Sequence, residues 1–293
     1  MDLTALICRE IIQNPQISQS DLNKQLNRPL SQVNAILEIA MQRGLVKESG
    51  GHYHITANGM VYMEQFRVDN AIILAAGFGV RLAPFTYKLP KGLLEIKGTP
   101  LIERQIEQLL DRGIHEIIIV VGYLKEKFEY LIEKYGVKLI YNPEYATKNN
   151  FVSVFYALDY LKATYLLMAD HWLEDNIFNT YELESWYSCL YFEGHTDEWG
   201  AKANPLGRIT EITISGRDTW AIVGPSYFNA KFSSIFARLT REYYAKPNTK
   251  DYFWEHILME NLHILPMYMN RQTRGNVREF DTLADFHKYD LTT

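Results

Sequence analysis

The first 63 residues place apolar side chains at the spacing of several short helices. In the first run, apolar residues recur three or four positions apart and stop before Pro15: Leu3, Leu6, Ile7, Ile11 and Ile12. Such a pattern predicts an amphipathic helix that ends near the proline. A second helix is predicted in ISQSDLNKQL, where Ser18 or Ser20 can cap it. A third, in PLSQVNAILEIAMQRGLV, is predicted to end at Gly44.

Two extended runs follow the third predicted helix. LVKE and HYHI flank Ser49-Gly50-Gly51, whose composition is typical of a hairpin turn, and a short helix is predicted from Thr56. Three helices, a hairpin and a fourth helix in residues 1–67 resemble a winged helix-turn-helix domain. The resemblance implies DNA binding by the helix that starts near Ser31. The alternative is a small domain for dimerisation or partner contact.

Charge decides between these two interpretations of residues 1–67. Residues 1–66 contain 5 Lys/Arg and 6 Asp/Glu, and the whole chain has a formal net charge of -5. Neutralisation of phosphates supplies most non-specific affinity for nucleic acid, and it requires a local basic excess. The balance therefore favours dimerisation or partner contact, with nucleic acid as the alternative partner.

After Asn70 the pattern changes to apolar strands that alternate with amphipathic helices. Strands are predicted in AIILAA, HEIIIVVGY, VKLIYN and TYLLMAD, and helices over 100–110, 125–135 and 150–161. Continuous apolar runs are typical of strands buried on both faces, and their alternation with helices indicates βαβ units. Residues 68–293 are therefore predicted to form a second domain, a doubly wound α/β fold with a mixed, mostly parallel sheet.

Composition favours a folded cytoplasmic protein. The chain has 293 residues, 47% of them hydrophobic, which is enough for a full-sized core. No stretch reaches 18 uninterrupted apolar residues and the N-terminus lacks a signal-peptide pattern, so no membrane partner is expected. The two cysteines, Cys8 and Cys189, are expected to be reduced. A homo-oligomer is compatible with the sequence.

A glycine-rich segment follows the first predicted strand of the second domain. Gly77 and Gly79 let the backbone approach a ligand closely, and backbone N–H groups in such a loop bind phosphate oxygens. Arg81 and Lys91 add the positive charge that a triphosphate requires, although Lys91 alone is also compatible with an ordinary surface lysine. The segment is not a P-loop, because GK[ST] is absent.

LAAGFGVRLAPFTYKLPKGLLEI resembles the signature loop of the nucleotidyltransferases that make sugar nucleotides and related activated alcohols. Other segments look most like the bacterial choline-phosphate cytidylyltransferases: IIIVVGYLKEKFEYLIEKYGVKLIYNPEYATKNNFVSVF, MADHWL, TDEWG and REFDTLADF. A middle segment of the QP-x-G-L-A type, usual in sugar-phosphate members, is absent from the sequence. The resemblance implies a nucleotide-diphospho-sugar transferase-like fold and a non-sugar acceptor.

The resemblance implies catalysis by positioning and charge neutralisation with Mg²⁺. Catalytic roles are expected for Arg81, Lys91 and Asp170, and metal binding for Asp170 and Asp281. Asp170 stands at the carboxyl end of a predicted strand, where open α/β sheets bind ligands; an acid there can also cap a helix. The residues expected to bind the nucleotide are Leu74, Ala75, Ala76, Gly77, Gly79, Arg81, Lys91 and Asn150. For Asn150, capping of the helix that starts at Phe151 is the alternative.

A choline head group has no proton to donate, so aromatic faces and nearby carboxylates must recognise it. The residues expected to bind the acceptor are Trp199, Glu198, Tyr252, Trp254 and Glu279. Glu255 follows Trp254 where relatives have a Trp-Asp pair. A further departure, GAKANPLGRITEI, stands where relatives have a more regular hairpin, which leaves phosphoethanolamine, another amino-alcohol phosphate or a sugar phosphate open as acceptors.

The predicted function is transfer of CMP from CTP to phosphocholine, giving CDP-choline and pyrophosphate. One alternative is a sugar-1-phosphate nucleotidylyltransferase. The other is a transcription regulator that senses a nucleotide or a CDP-alcohol. The presence of Gly77, Arg81, Lys91 and Asp170 together favours an enzyme, because a sensor does not require the metal-binding acid.

Overall fold

The computed structural model describes residues 2–26 and 28–290, which divide into two compact units. The first unit comprises Met1–Arg67 and Tyr181–Leu183, and the second comprises Val68–Thr180 and Glu184–Thr293. The predicted domain boundary assigns 181–183 to the second domain, but Tyr181 is 3% exposed within the apolar core of the first unit. Arg9 also forms an ion pair with Glu182 at 3.2 Å. These contacts explain why the three residues group with the first unit.

The described residues of the first unit form four α-helices and a three-stranded antiparallel sheet of order β1-β3-β2. In chain order the elements are α1 (Leu3–Gln13), β1 (Ile17–Ser18), α2 (Gln19–Leu26), α3 (Leu30–Gln42), β2 (Val46–Ser49), β3 (His52–Ile55) and α4 (Ala57–Met63). Thr56 caps α4, since its Oγ1 accepts a hydrogen bond from the Gly59 N–H at 3.0 Å. The predicted order of helices and hairpin is found, with strand β1 in addition. The assignment as a winged helix-turn-helix stays a prediction.

The second unit alternates strands and helices around a nine-stranded sheet. Its strands are β4 (Asn70–Ala75), β5 (Glu95–Ile96), β6 (Thr99–Pro100), β7 (Ile117–Val121), β8 (Lys138–Tyr141), β9 (Thr164–Met168), β10 (His171–Leu173), β11 (Trp186–Thr196), β12 (Gly200–Ala203), β13 (Ile209–Thr213), β14 (Gly216–Phe228), β15 (Tyr268–Arg271) and β16 (Val277–Glu279). Its helices are α5 (Leu101–Asp111), α6 (Tyr130–Tyr135), α7 (Phe151–Tyr156), α8 (Ala230–Tyr244), α9 (Trp254–Glu260) and α10 (Leu283–Asp290). The predicted α/β fold with a mixed, mostly parallel central sheet is confirmed.

Two predicted helices are shorter than expected. The segment 125–135 divides into a 3₁₀ turn, Lys125–Phe128, and α6. The segment 150–161 divides into α7 and a second 3₁₀ turn, Leu158–Tyr160. Tightening of a terminal turn into 3₁₀ geometry is common at helix ends.

The parallel centre of the sheet runs in the order β9-β4-β7-β8, and antiparallel strands continue it beyond β9. Alternate residues of β4 and β7 belong to different apolar clusters. One cluster contains Ile72, Leu74, Ile118 and Val120, and the other contains Ala71, Ile73, Ile117 and Ile119. Both faces of these strands are therefore buried, which is why their sequences are continuously apolar.

From β4 the chain continues to β7 and β8 on one side of the sheet, whereas β9 and the strands that follow it lie on the other side of β4. The strand order therefore reverses between the parallel neighbours β4 and β9. Open α/β sheets bind ligands at such a switch point, beyond the carboxyl ends of the strands. The glycine-rich loop follows β4 and Asp170 follows β9. The topology thus brings together two segments that are about ninety residues apart in the sequence.

A small antiparallel ribbon, β10 with β16, carries the late part of the chain to the same place. His171 pairs with Glu279 in its register, and the Phe280 N–H donates to the Asp170 carbonyl at 3.2 Å. The GAKANPLGRITEI segment forms a hairpin of β12 and β13 with one register irregularity; Pro205 and Gly207 lie in its turn, and Gly200 begins β12. In the described part of the chain, no helix is both long and apolar enough to cross a membrane.

Candidate active site

The loop after β4 folds back on itself and positions Lys91. Gly79 adopts a left-handed backbone with φ 63°, and a Cβ atom there would lie 3.0 Å from Thr86 Cγ2 and 3.2 Å from Lys91 Cβ. The Thr86 hydroxyl donates to the Gly79 carbonyl at 2.9 Å. Gly92 is equally constrained, because a Cβ there would lie 2.7 Å from the Cβ of Ala169. These glycines let the loop approach the end of β9 closely.

Lys91 joins the carboxylates that the fold brings to the switch point. Its Nζ donates to Asp170 Oδ2 at 2.7 Å and also to Asp281 Oδ1. Arg81 Nη2 pairs with Asp281 Oδ2 at 2.5 Å. The predicted catalytic residues Arg81, Lys91 and Asp170 and the predicted metal ligand Asp281 therefore form one cluster of two cations and two anions.

The electrostatics of this cluster favour its charged state. Burial would raise the pKa of Asp170, but the positive charges of Lys91 and His171 outweigh burial and lower the pKa to about 2. Burial would lower the pKa of Lys91, whereas the carboxylates of Asp170 and Asp281 raise it above its ordinary value. Both groups are therefore ionised at neutral pH.

The carboxylates fit a divalent cation. Asp170 Oδ1 is enclosed and, among the described residues, receives no hydrogen bond. One ligand atom each from Asp170, His171 and Glu279 lie within 4.8 Å of one another. Two of these three ligand atoms are carboxylate oxygens, the hard donors that Mg²⁺ prefers, and the third is an imidazole nitrogen. The sequence resemblance predicts Asp170 and Asp281 as the metal ligands and not His171, whose place opposite Glu279 depends on the β10–β16 register.

A cleft of about 280 Å³ opens between the glycine-rich loop and the end of β9, and we call it the glycine-loop cleft. Six of the eight predicted nucleotide-binding residues line it: Leu74, Ala75, Gly77, Gly79, Arg81 and Lys91. Ala76 is 6% exposed, and its carbonyl accepts from the Tyr123 N–H at 3.1 Å. Ala76 therefore supports the loop from behind.

A second cleft of about 300 Å³, which we call the acidic cleft, adjoins the first through five shared residues. These are Arg81, Met168, Phe253, Glu279 and Asp281. The acidic cleft is also lined by three of the predicted site residues, Asn150, Glu198 and Trp199. Asn150 makes no capping hydrogen bond to α7; its Oδ1 accepts from the Trp254 N–H at 3.0 Å instead. The predicted nucleotide and acceptor residues thus lie in two connected spaces.

Two predicted acceptor residues need correction. Trp254 is 2% exposed, with its ring stacked on Tyr187 at 5.2 Å and edge-on to Phe228 at 5.4 Å, so it belongs to the core. Tyr252 stacks on His256 at 4.6 Å, and its hydroxyl donates to Glu260 at 3.3 Å. Neither is among the residues that line the acidic cleft.

Glu255, and not its neighbour Trp254 as predicted, contributes a side chain to the acidic cleft. It lines the acidic cleft, and its Oε1 accepts from the Tyr187 hydroxyl at 2.9 Å. Tyr187 and Phe253 also line this cleft and were not predicted. Helix geometry could have predicted the role of Glu255. Because α9 begins at Trp254 and successive helical side chains point about 100° apart, the Glu255 side chain points away when Trp254 packs into the core.

Burial raises the pKa values of two carboxylates in the acidic cleft, Glu198 and Glu255. Burial, aided by the negative charge of Glu279, raises the pKa of Glu198 to about 7. Burial likewise raises the pKa of Glu255 to about 7. A cation in this cleft would stabilise the ionised form of both groups.

An organic cation that does not titrate, such as the choline that the sequence resemblance implies, is expected to bind in the acidic cleft more tightly as the pH rises. Because Glu198 and Glu255 have raised pKa values of about 7, their attractive charge is present above that pH and is lost as the pH falls below it. Choline itself does not titrate in this range. We expect its dissociation constant to fall roughly tenfold between pH 5.5 and 8, measured by calorimetry. A Glu255→Gln variant should show a flatter profile, and a flat profile in the unmodified protein would contradict this electrostatic account.

Comparison with known proteins gives consistent matches for the second unit. The sequence profile of the MobA-like NTP transferase domain matches residues 71–174. The choline-phosphate cytidylyltransferase of Streptococcus pneumoniae is 36% identical over 220 residues, 75% of this chain and 96% of that protein. The 2-aminoethylphosphonate cytidylyltransferase of Lancefieldella rimae is 38% identical over 225 residues, 75% of this chain and 92% of that protein.

Solved structures give the same result. The CTP:phosphocholine cytidylyltransferase of Streptococcus pneumoniae superposes with a TM-score of 0.75 at 35% sequence identity, covering 77% of this chain and 99% of that one. The inositol-1-phosphate CTP transferase of T. maritima superposes with a TM-score of 0.60 at 20% identity, covering 77% and 95%. The second likeness concerns the fold alone.

Proposed function

The chain belongs to the nucleotidyltransferase family that includes the choline-phosphate cytidylyltransferases, and we propose that it transfers CMP from CTP to phosphocholine. The observation that carries the proposal is the Arg81–Asp281–Lys91–Asp170 cluster, set between the glycine-loop cleft and the acidic cleft. One cleft suits a triphosphate and the other suits a cationic head group, with the charges for phosphoryl chemistry between them.

In the proposed reaction, an oxygen of the acceptor phosphate attacks the α-phosphorus of CTP in line with the departing pyrophosphate. A bond forms between this oxygen and the α-phosphorus, and the bond from the α-phosphorus to the β-phosphate oxygen breaks. Lys91 and Arg81 neutralise negative charge on the phosphates, and the glycine-rich loop holds the triphosphate. The reaction requires positioning and charge stabilisation rather than a covalent intermediate.

Mg²⁺ is the proposed metal, held by Asp170 and Asp281. The enclosed Oδ1 of Asp170, which has no hydrogen-bond donor within the described part of the chain, supports a cation at this point, and a carboxylate pair suits a hard ion. When bound, the ion would neutralise phosphate charge and orient the triphosphate. Lys91 already contacts both carboxylates and can transfer its hydrogen bonds to phosphate oxygens when they arrive.

In the acceptor site, Trp199 offers an aromatic face and Glu198, Glu255 and Glu279 offer negative charge. Trp199 itself contacts the ring of His256 edge-on at 4.7 Å, which fixes its orientation. The two relatives are cytidylyltransferases of choline phosphate and of 2-aminoethylphosphonate. Each of these acceptors carries a cation a short distance from a phosphorus oxyanion. The arrangement of the two clefts supports an acceptor of this shape.

A matrix of substrates tests the proposal. Pyrophosphate release is measured with Mg²⁺ and each of CTP, UTP, dTTP, ATP and GTP against phosphocholine, phosphoethanolamine and glucose 1-phosphate. We expect release with CTP and phosphocholine and none with glucose 1-phosphate. Release with glucose 1-phosphate would favour the sugar-phosphate alternative. Tight CTP binding without release in any combination would favour a sensor.

For the first unit we propose partner contact or dimerisation rather than DNA binding. Several of its cations are engaged internally: Arg9 pairs with Glu182 at 3.2 Å, Arg67 with Glu64 at 2.6 Å, and Arg43 lies over the ring of Tyr62 at 4.7 Å. We expect no binding to a labelled random duplex at low salt, measured by fluorescence anisotropy, because few unpaired charges remain for phosphates. Salt-sensitive binding would contradict this assignment.

A further inference from the structure

Helix α5 packs against the segment that carries Asp170, and two buried glutamines of this helix contact that segment. Gln105 is fully buried and Gln108 is 6% exposed. An amide side chain is costly to bury unless its polar atoms form hydrogen bonds. The hydrogen-bond partners of the two amides therefore indicate what each glutamine does.

Gln105 holds the turn on which Asp170 lies. Its Nε2 donates to the Met168 carbonyl at 2.9 Å and to the His171 carbonyl at 2.7 Å. Since β9 ends at Met168 and β10 begins at His171, one side-chain amide joins the end of one strand to the start of the next. Both acceptors are carbonyls, so the group that faces them must be the NH₂ of the amide, and both of its protons are used.

Two backbone hydrogen bonds hold the same turn. The Ala169 N–H donates to the Leu74 carbonyl at 3.0 Å, and the Phe280 N–H donates to the Asp170 carbonyl at 3.2 Å. The first bond joins the turn to the strand that precedes the glycine-rich loop, and the second joins it to the segment of the other predicted metal ligand. The amide of Gln105 adds a side-chain contact at both ends of the turn.

Gln108 lies one helical turn further along α5 and makes a similar contact elsewhere. Its Nε2 donates to the Leu173 carbonyl at 3.1 Å, beyond the turn that carries Asp170. The Oε1 atoms of Gln105 and Gln108 are both enclosed and receive no hydrogen bond from any described residue. The two amides thus resemble each other in burial and bonding, and they differ in the carbonyls that they hold.

We propose that Gln105 is a positioning residue for the transfer: its amide holds the turn from Met168 to His171 so that the Asp170 carboxylate is presented to Lys91 and to the proposed cation. This role rests on the proposed function, which gives Asp170 its part in catalysis. Gln105 is not among the residues that line either cleft, so it acts through Asp170. Loss of a group that orients a metal ligand typically lowers metal affinity or activity roughly 10- to 100-fold.

Gln105→Met tests the proposal, because methionine nearly preserves the shape of glutamine and removes both N–H donors. We expect kcat for pyrophosphate release to fall about 10- to 100-fold, with the KM for CTP changed less than about threefold, because the glycine-rich loop holds the triphosphate. Mn²⁺ serves as a probe that needs no turnover, since electron paramagnetic resonance measures the free ion. We expect its dissociation constant to rise about tenfold or more in the variant.

Gln108→Met is the matched control, since it removes a buried amide of the same kind from the same helix. It should leave kcat and the Mn²⁺ affinity within about threefold of their values in the unmodified protein, although thermal unfolding should show a loss of stability in both variants. Equal effects of the two substitutions on kcat and Mn²⁺ affinity, or no effect of Gln105→Met on either, would overturn the proposal. If Gln105→Met does not fold, Gln105→Asn replaces it with the same expected results, because its shorter side chain withdraws the amide from the turn.

The two readouts separate the failure of this role from that of the proposed function. If the unmodified protein does not turn over CTP, the proposed function is wrong, and the difference in Mn²⁺ affinity between the two variants still decides whether Gln105 positions Asp170. If the unmodified protein binds no Mn²⁺ even at millimolar concentration, both the metal assignment and the role of Gln105 are overturned.

Discussion

Asp170→Asn is expected to lower kcat on the order of a thousandfold, while the protein stays folded. Asp170 stands at the switch point between β4 and β9, where its Oδ2 accepts from Lys91 at 2.7 Å and its enclosed Oδ1 receives no hydrogen bond from any residue that the structure describes. Asparagine preserves the shape but removes the negative charge that would hold a divalent cation. The loss should therefore appear in kcat more than in the KM for CTP.

The measurement is steady-state pyrophosphate release over a range of CTP concentrations, with circular dichroism to verify the fold. Asp175→Asn is the matched control, because Asp175 is exposed and lies five residues further along the same segment. It should retain full activity. If Asp170→Asn kept more than about a tenth of the activity, Asp170 would be a structural residue and the metal assignment would be wrong.

Lys91→Met is expected to lower kcat on the order of a hundredfold or more. Lys91 is 14% exposed and contacts both Asp170 and Asp281, so the variant loses a charge that neutralises phosphate and leaves two carboxylates less well compensated. The same change should raise the pKa of Asp170, which is about 2 while Lys91 stands beside it. In the unmodified protein, the stability that ionised Asp170 contributes is lost as the pH falls from its ordinary pKa towards about 2. In Lys91→Met this loss should begin at a higher pH.

Two measurements check the role of Lys91. Pyrophosphate release reports kcat, and an NMR titration of the aspartate carboxyl carbons reports the pKa of Asp170. Lys88→Met is the matched control, since Lys88 is an exposed lysine of the same loop and is not among the residues lining either cleft. An unchanged Asp170 pKa in Lys91→Met would contradict the electrostatic coupling described above.

The parallel strands β4 and β7 could be predicted well from sequence because they are buried on both faces. Residues 71–75 and 117–121 are continuously apolar, and the structure places alternate side chains in two separate clusters. Strands β1, β5 and β6 were not predicted, since two residues carry no periodic signal, and strands β10 to β16 were not predicted either. Helices over 125–135 and 150–161 were predicted too long, because apolar spacing does not distinguish a terminal 3₁₀ turn from an α-helical one.

Local motifs identified the residues of the glycine-loop cleft, whereas residues from distant segments were harder to predict. Gly79, Arg81 and Lys91 stand in one recognisable segment. His171 and Glu279 meet only through the register of β10 with β16, which sequence periodicity does not encode.

The acceptor site illustrates a second limit. An aromatic residue beside an acid suggests a cation site, but the sequence does not say which of the two faces the ligand. In this fold Trp254 packs against Tyr187 and Phe228, and Glu255 lines the cleft. The orientation of α9 decides this, and it depends on tertiary packing.

The most direct test of the central claim is the fate of the label when CTP carrying ³²P at the α-phosphate is incubated with phosphocholine and Mg²⁺. We predict that the label appears in CDP-choline, with one pyrophosphate released for each product molecule, and that neither forms with Asp170→Asn. If the label stays in CTP with the unmodified protein, although CTP is bound, the protein is not a phosphocholine cytidylyltransferase and its two clefts serve recognition without transfer.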